Sequence, residues 1–300
     1  MNNTQLTYIA GAPDQGAFLR DILSDKLLLS HSLVVQLKCL HKIRVNGSWA
    51  RTNYRINAGD MVTIDLDFAE ENKIIPERIP LDIVYEDEDF LVVNKPAGMS
   101  THPSRMGGTR TLANAVTYYW QGVGRGTLFR PINRLDRDTS GLVLIGNSQF
   151  AHQGIFRQQK GCTIERQYIS LVEGEMAKDN DRIDQPIARP DEKKRRRTVD
   201  SAGQRAVTYY QVLERYAGHT LLRLRLETGR THQIRVHLSF LGYPICGDLL
   251  YGCASALINR QALHADRLRF THPRSGKEIL LEAPLPVDFR KAIDHLAKKR

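Results

Sequence analysis

Residues 131–148, PINRLDRDTSGLVLIGNS, limit what this chain can become more than any other stretch. Charge alternates through Arg134, Asp136, Arg137 and Asp138, and the chain then turns at Thr139, Ser140 and Gly141. Leu142, Val143, Leu144 and Ile145 follow without a polar residue, closed by Gly146 and Asn147. Such a run between turn formers reads as a strand buried on both faces. Asp136 then stands on the approach to a buried strand, between two guanidiniums. Carboxylates are ionised at neutral pH and neighbouring cations favour that form, which is how a carboxylate nucleophile would be prepared. Taken alone, the same charges also fit a solvated turn.

A second informative stretch is 221–252, LLRLRLETGRTHQIRVHLSFLGYPICGDLLYG. Leu222, Leu224 and Leu226 alternate with Arg223, Arg225 and Glu227, the pattern of a half-buried strand. Thr228, Gly229 and Arg230 turn the chain, and THQIRVHLSFLG reads as a helix ended by Gly242. On that helix Arg235 shares a side with Thr231 or His232. His232 and His237 are five apart with no third ligand near, so a zinc pair is rejected. The cysteines Cys39, Cys162, Cys246 and Cys253 form no C-x-x-C pair and none sits beside a histidine at metal spacing. Reduced thiols and no metal site are expected.

Three hundred residues fit one large domain or two of ordinary size. A formal net charge of +10 favours a polyanionic partner, nucleic acid or an anionic membrane. No apolar stretch has transmembrane length and the N-terminus lacks a basic-then-apolar leader. The expectation is therefore a cytoplasmic protein with no membrane partner, whose polyanion is nucleic acid.

The order along the chain suggests a small module at 12–67, a linker at 68–80 (rich in charge, with two prolines) and a large domain at 81–300. In the module, Phe18, Leu19, Ile22 and Leu23 have helical spacing, and Ser30 or Ser32 can cap a second helix. Short strands follow at 43–45 and 61–64. Lys38, His41, Lys42, Arg44 and Arg51 make a basic surface suited to phosphates, or a merely solvated face. In the large domain, strands flank an acidic turn at Asp87–Asp89, helices are expected at 110–120 and 149–160, and Lys193, Lys194, Arg195, Arg196 and Arg197 form one basic run. In an RNA-binding chain that run would contact phosphates; otherwise it is a solvated loop.

NRLDRDTSG resembles the H-R-L-D-x-x-T-S-G signature of the RluA-type pseudouridine synthases, with Asn133 where the family usually has His. LETGRTHQIRVHL is similar to the family's L-x-T-G-R-T-H-Q-I-R-V-H-L nearly letter for letter. YEDEDFLVVNKPAGMSTHP resembles its first motif, and ERQYISLVEG its K-x-Y-x-A-x-V-x-G strand, with Arg166 replacing the usual Lys. The R-V-N-G…N-A-G-D-x-V pattern of the module resembles the small RNA-binding domain named after ribosomal protein S-four.

The resemblance implies an α+β fold: a mixed, mostly antiparallel central sheet with flanking helices and a central cleft, preceded by a small ααβ RNA-binding domain. It implies isomerisation of uridine in structured RNA to pseudouridine, with Asp136 as nucleophile, Arg235 as its basic partner and Tyr168 stacked on the flipped base. Lys95, Pro96 and Gly98 carry over as scaffold, and His102 as a structural residue. Arg134 would fill the vacated stack or hold a phosphate, and Leu263 would line the uracil pocket. No cofactor and no metal are expected, and the chain is expected to be a monomer. Large-subunit ribosomal RNA is the expected substrate. Transfer RNA, a non-catalytic ribosome-assembly role and an Asp-based RNA hydrolase are the alternatives.

Overall fold

The apolar run at 142–145 forms the middle of a strand, Ser140–Gly146, buried at every residue. Its side chains alternate between two apolar clusters, as a period of two requires. Val143 and Ile145 join Leu91, Val93, Leu112, Val116 and Trp120 on one face. Leu142 and Leu144 join Phe90, Val92, Ala151 and Ile155 on the other. The protein, a computed structural model, is described over residues 5–298 apart from 28, 30, 67–73, 104–107, 126–127, 161–163 and 192–195.

The N-terminal unit comprises β1 (Gln5–Ile9), a helical turn α1 (Leu19–Asp21) that runs on as a π-helical turn, α2 (His31–Cys39), β2 (Ile43–Val45), β3 (Ser48–Trp49) and β4 (Met61–Asp65). Its antiparallel sheet has the order β1-β4-β2-β3. The strand β1 precedes residue 12, where the sequence reading begins the module. Of the two proposed caps, Ser30 lies outside the described residues and Ser32 falls inside α2.

The rest contains β5 (Ile83–Glu86), β6 (Phe90–Lys95), α3 (Leu112–Gly122), β7 (Arg130–Pro131), β8 (Ser140–Gly146), α4 (Gln149–Lys160), β9 (Glu165–Glu173), β10 (Asn180–Asp184), β11 (Ile187–Ala188), β12 (Thr198–Val199), β13 (Val207–Tyr216), β14 (His219–Leu226), α5 (Gln233–Phe240), β15 (Leu263–Thr271), β16 (Glu278–Glu282) and α6 (Val287–Ala297). The large sheet runs β10-β13-β14-β9-β15-β8-β6-β5, with β16 on β15 and β7 on β8. Its pairs are antiparallel except β15 with β8, where His264 opposes Ser140 and Ala265 opposes Gly141. The expected α+β class with a mixed, mostly antiparallel sheet is what is observed.

That parallel contact explains the glycine of T-S-G; Ser140 and Gly141 belong to β8, and the turn expected at 139–141 falls instead at 137–138. A Cβ on Gly141 would stand 2.2 Å from the Ala265 carbonyl oxygen, and its φ of +115° also excludes side chains. Ser140 Oγ meets His264 Nδ1 at 2.9 Å. The strands β8 and β15 can approach only because position 141 carries no side chain.

The stretch read as a linker is tied down where it is described. Asn114 Nδ2 donates to the Ile75 carbonyl at 2.7 Å, and Glu77 accepts the Arg110 amide. The N-terminal unit also touches the large sheet directly. Phe150, at the start of α4, joins its apolar cluster with Leu6, Leu33 and Ile64. Arg274 grips Asp89 through two hydrogen bonds and donates to the Gln5 carbonyl.

Candidate active site

The loop before β8 carries Asp136, and the fold pins it from several sides. Asn133 Nδ2 donates to the Leu142 carbonyl and its Oδ1 accepts the Leu144 amide, at 3.0 and 2.8 Å. Asn thus serves where the family signature has His, because it offers a donor and an acceptor to one strand edge. Thr101 Oγ1 exchanges hydrogen bonds with the Leu135 backbone. Arg260 donates to the Asp138 carbonyl and Gln261 to Thr139 Oγ1.

Lys95, fully buried, lies beneath the same loop. Its Nζ donates to the carbonyls of Pro96, Met99 and Arg137 at 2.8, 2.7 and 3.1 Å, a scaffold contact. Burial pulls its pKa down to about 7, opposed by the nearby charges of Asp138 and Asp136.

Asp136 takes its ion pair from a distant segment. Arg235 Nη1 donates to Asp136 Oδ2 at 2.8 Å. The adjacent guanidiniums do otherwise: Arg137 Nε donates to the Gly98 carbonyl, and Arg134 is exposed on the cleft wall. The sequence expectation of a carboxylate between Arg134 and Arg137 is corrected here: its hydrogen-bonded ion pair goes to Arg235, and Arg137 is engaged by the Gly98 carbonyl.

Arg235 is itself held by a residue the sequence reading did not single out. Its Nε and Nη2 donate to Asp248 Oδ2 and Oδ1 at 2.7 and 2.8 Å. The Asp248 carboxylate is wholly buried and its Oδ1 also accepts the amides of Leu250 and Tyr251. A planar fork can serve two carboxylates at fixed angles. Burial works against the charge of Arg235, but the hydrogen bonds and field of Asp248, then of Asp136, hold its pKa above the ordinary value. The only advance signal was an acid following Gly247, which itself must be glycine: its φ is +74° and a Cβ would stand 2.4 Å from the Arg260 carbonyl oxygen.

The helix α5 begins at Gln233 rather than Thr231, since His232 adopts a left-handed φ of +59°. Such strain in a non-glycine residue points to a functional constraint. The turn brings His232 Nε2 to 3.8 Å from Asp136 Oδ2, while Nδ1 meets the Tyr251 hydroxyl at 2.8 Å. Burial lowers the His232 pKa, with Asp136 opposing. Tyr251 accepts the Arg197 amide at 2.8 Å and its ring lies 5.1 Å from the Arg235 guanidinium. The end of the basic run therefore reaches the site: Arg196 lies over the same ring at 5.6 Å. Lys193, Lys194 and Arg195 fall outside the described residues.

These groups face an open cleft of about 710 Å³ at the centre of the large sheet. Tyr168 on β9 and Leu263, the first residue of β15, line it, as do Arg134, Arg166 and His102. Burial raises the pKa of Tyr168, which keeps its hydroxyl neutral. The structure thus brings Asp136, Tyr168, Arg235, Arg134 and Leu263 around one cavity. Lys38 and Arg44 are exposed on the N-terminal unit, whereas Lys42 Nζ is tied to Asp65 at 2.5 Å.

The sequence model of the RNA pseudouridylate synthase family matches residues 89–240. The chain is 39% identical over 287 residues to an uncharacterised RNA pseudouridine synthase, YhcT, of Bacillus subtilis, covering 95% of each. It is 36% identical over 269 residues to ribosomal large subunit pseudouridine synthase D of Haemophilus ducreyi, covering 85% of this chain and 82% of that one. Among solved structures, human RNA pseudouridylate synthase domain containing 1 superposes with a TM-score of 0.56 at 30% identity, over 69% of this chain and 84% of the other.

Proposed function

This chain belongs to the RNA pseudouridylate synthase family, and on that premise we propose that it converts selected uridines of large-subunit ribosomal RNA to pseudouridine with Asp136 as nucleophile. The observation that carries the reading is the Arg235–Asp136 pair at 2.8 Å on the wall of a cleft also lined by Tyr168 and Leu263. The likeness to large-subunit synthases supports the choice of RNA. That RNA would meet the enzyme in the cytoplasm.

The reaction is an isomerisation. The bond from ribose C1′ to N1 breaks, the uracil turns, and a bond from C1′ to C5 forms. N1 gains a proton and C5 loses one, so no oxidant or reductant is consumed. Attack by Asp136 on the ribose or on the ring both need a free carboxylate oxygen aimed into the cleft. Arg235 occupies Oδ2 and so orients Oδ1. A stacked base cannot reach that oxygen and must be flipped, at a cost of a few kcal/mol. The ring of Tyr168 offers a face for the flipped base and Leu263 an apolar wall, while Arg134 is placed to hold a backbone phosphate or fill the gap. The Tyr251 hydroxyl can donate a hydrogen bond to His232 Nδ1, which puts the imidazole proton on Nε2, toward Asp136. Lys38, Arg44 and the basic run at 193–197 would add sequence-independent phosphate contacts.

The test has two parts. Purified enzyme should release tritium from RNA labelled at uridine C5. Pseudouridine mapped across total RNA should be missing from large-subunit ribosomal RNA in a strain lacking the gene. Loss from transfer RNA alone would replace the substrate, and no tritium release with any RNA would remove the catalytic reading.

A further inference from the structure

We propose that a zinc ion binds at Glu173, His219 and Cys246, at the far end of β9 from Tyr168, and staples the chain that carries Asp248 to the sheet. The ligating atoms of these three residues lie within 4.8 Å of one another. They come from three neighbouring segments. His219 on β14 stands directly opposite Glu173 on β9. On the other side of β9, Ile245 bridges to Val172, and the Cys246 amide donates to the Leu171 carbonyl. Antiparallel register puts Leu171, Glu173 and Cys246 on one face.

The donors are set as ligands. His219 Nδ1 faces the Ala217 carbonyl at 3.2 Å, and donation there leaves the Nε2 lone pair outward. That nitrogen meets Glu173 Oε2 at 3.2 Å, so without a proton or a cation between them two acceptors confront each other. Cys246 Sγ, buried, lies 3.0 Å from Ser255 Oγ. One sulfur, one imidazole nitrogen and one carboxylate oxygen suit zinc, and hard cations that prefer all-oxygen shells much less. Bonds of about 2.0–2.3 Å need ligand atoms roughly 3.3–3.8 Å apart, so the cluster must tighten by about 1 Å. Glu173 keeps its side chain 30% exposed, which supplies the entry path.

The position has a consequence for the site above. Cys246 precedes Asp248 by one glycine, Gly247, whose backbone is already confined by the Arg260 and Ile258 carbonyls. A metal bond at Cys246 anchors the loop through which Asp248 orients Arg235. Local spacing gave no hint of it, since the three ligands are contributed by segments far apart in sequence.

The experiment titrates chelator-treated full-length protein with cobalt(II), then zinc. One cobalt per chain should give a thiolate-to-metal charge-transfer absorption that zinc abolishes. Cys246→Ser should lose that absorption, and His219→Gln or Glu173→Gln should weaken binding at least tenfold. Far-ultraviolet circular dichroism checks that the variants fold, and zinc should raise the melting temperature of the parent but not of His219→Gln. Absence of the absorption, its survival in Cys246→Ser, or equal stabilisation of His219→Gln by zinc would each overturn the site. None of these readouts depends on RNA turnover.

Discussion

Asp248 holds Arg235 by two hydrogen bonds of 2.7 and 2.8 Å from a carboxylate with no exposed surface, leaving one guanidinium nitrogen for Asp136. The pairing is therefore a chain of three charges in which the buried acid sets the arginine and the arginine sets Asp136. Removing the middle or the end of that chain should have different effects from removing its exposed tip.

Asp136 is the tip. Its carboxylate is 25% exposed, so Asp136→Asn or Asp136→Ala should fold and bind RNA much as the parent does. Neither side chain can act as the nucleophile. Tritium release from uridine labelled at C5 should fall to background, and appreciable turnover by the Ala variant would remove Asp136 from the reaction.

Arg235→Ala should cost both activity and stability. The carboxylate it orphans is that of Asp248, for which loss of a buried partner costs about 3–5 kcal/mol. Asp248→Asn keeps acceptor geometry on one side and should lose less stability while still slowing turnover. Urea midpoints alongside tritium release separate the two, and a normal melt for Arg235→Ala would contradict the three-charge chain.

Tyr168 lines the cleft. Tyr168→Phe should bind RNA nearly as the parent does, whereas Tyr168→Ala should lose stacking worth about 1–3 kcal/mol. Binding titrations with a catalytically silent Asp136→Asn background make the comparison, and equal affinities for Phe and Ala would place the ring outside the base pocket.

Acid should destabilise the fold in a defined window. His264 lies buried between Ser140 Oγ and the Ala283 carbonyl, and burial pushes its pKa down to about 4. Burial lowers His152, His232 and His237 as well. An unfolded chain takes up protons below about pH 6.5 that the folded one refuses. The histidine contribution should thus be complete above that pH and decline toward pH 4, by about 3 kcal/mol from His264 alone. Asp266, whose carboxyl burial raises, works weakly the other way. Urea melts across this range should show the slope, and His264→Gln should flatten it.

The N-terminal unit should contribute to RNA affinity through exposed cations. Lys38 and Arg44 are exposed, whereas Lys42 is engaged by Asp65. Each phosphate contact steepens the fall of log affinity with log salt by about 0.7–0.9. Lys38→Ala with Arg44→Ala in the full chain should therefore give a shallower slope than the parent. Identical slopes would mean that this face is only solvated.

Residues near in sequence were enough to determine a good deal. The apolar run after Gly141 could only be an interior strand, since nothing in it can face water, and the Leu222, Leu224, Leu226 alternation could only be half-buried. A turn before the apolar strand and the helix ended by Gly242 follow from local backbone preference, though the turn falls at 137–138 rather than 139–141. The resemblance to the RluA-type signatures named Asp136, Tyr168 and Arg235 as candidates, and the structure gathers them around one cleft. Tertiary structure alone decided which charges meet. Arg134 and Arg137 flank Asp136 in the chain, yet its ion pair is with Arg235, which arrives on α5 after β14, three strands from β8 in the sheet. Asp248 and the Tyr251–His232 contact were invisible for the same reason: burial and pairing energies depend on distance in space, and sequence separation says nothing about it. The Glu173, His219 and Cys246 cluster, assembled by strand register across β9, is the clearest instance.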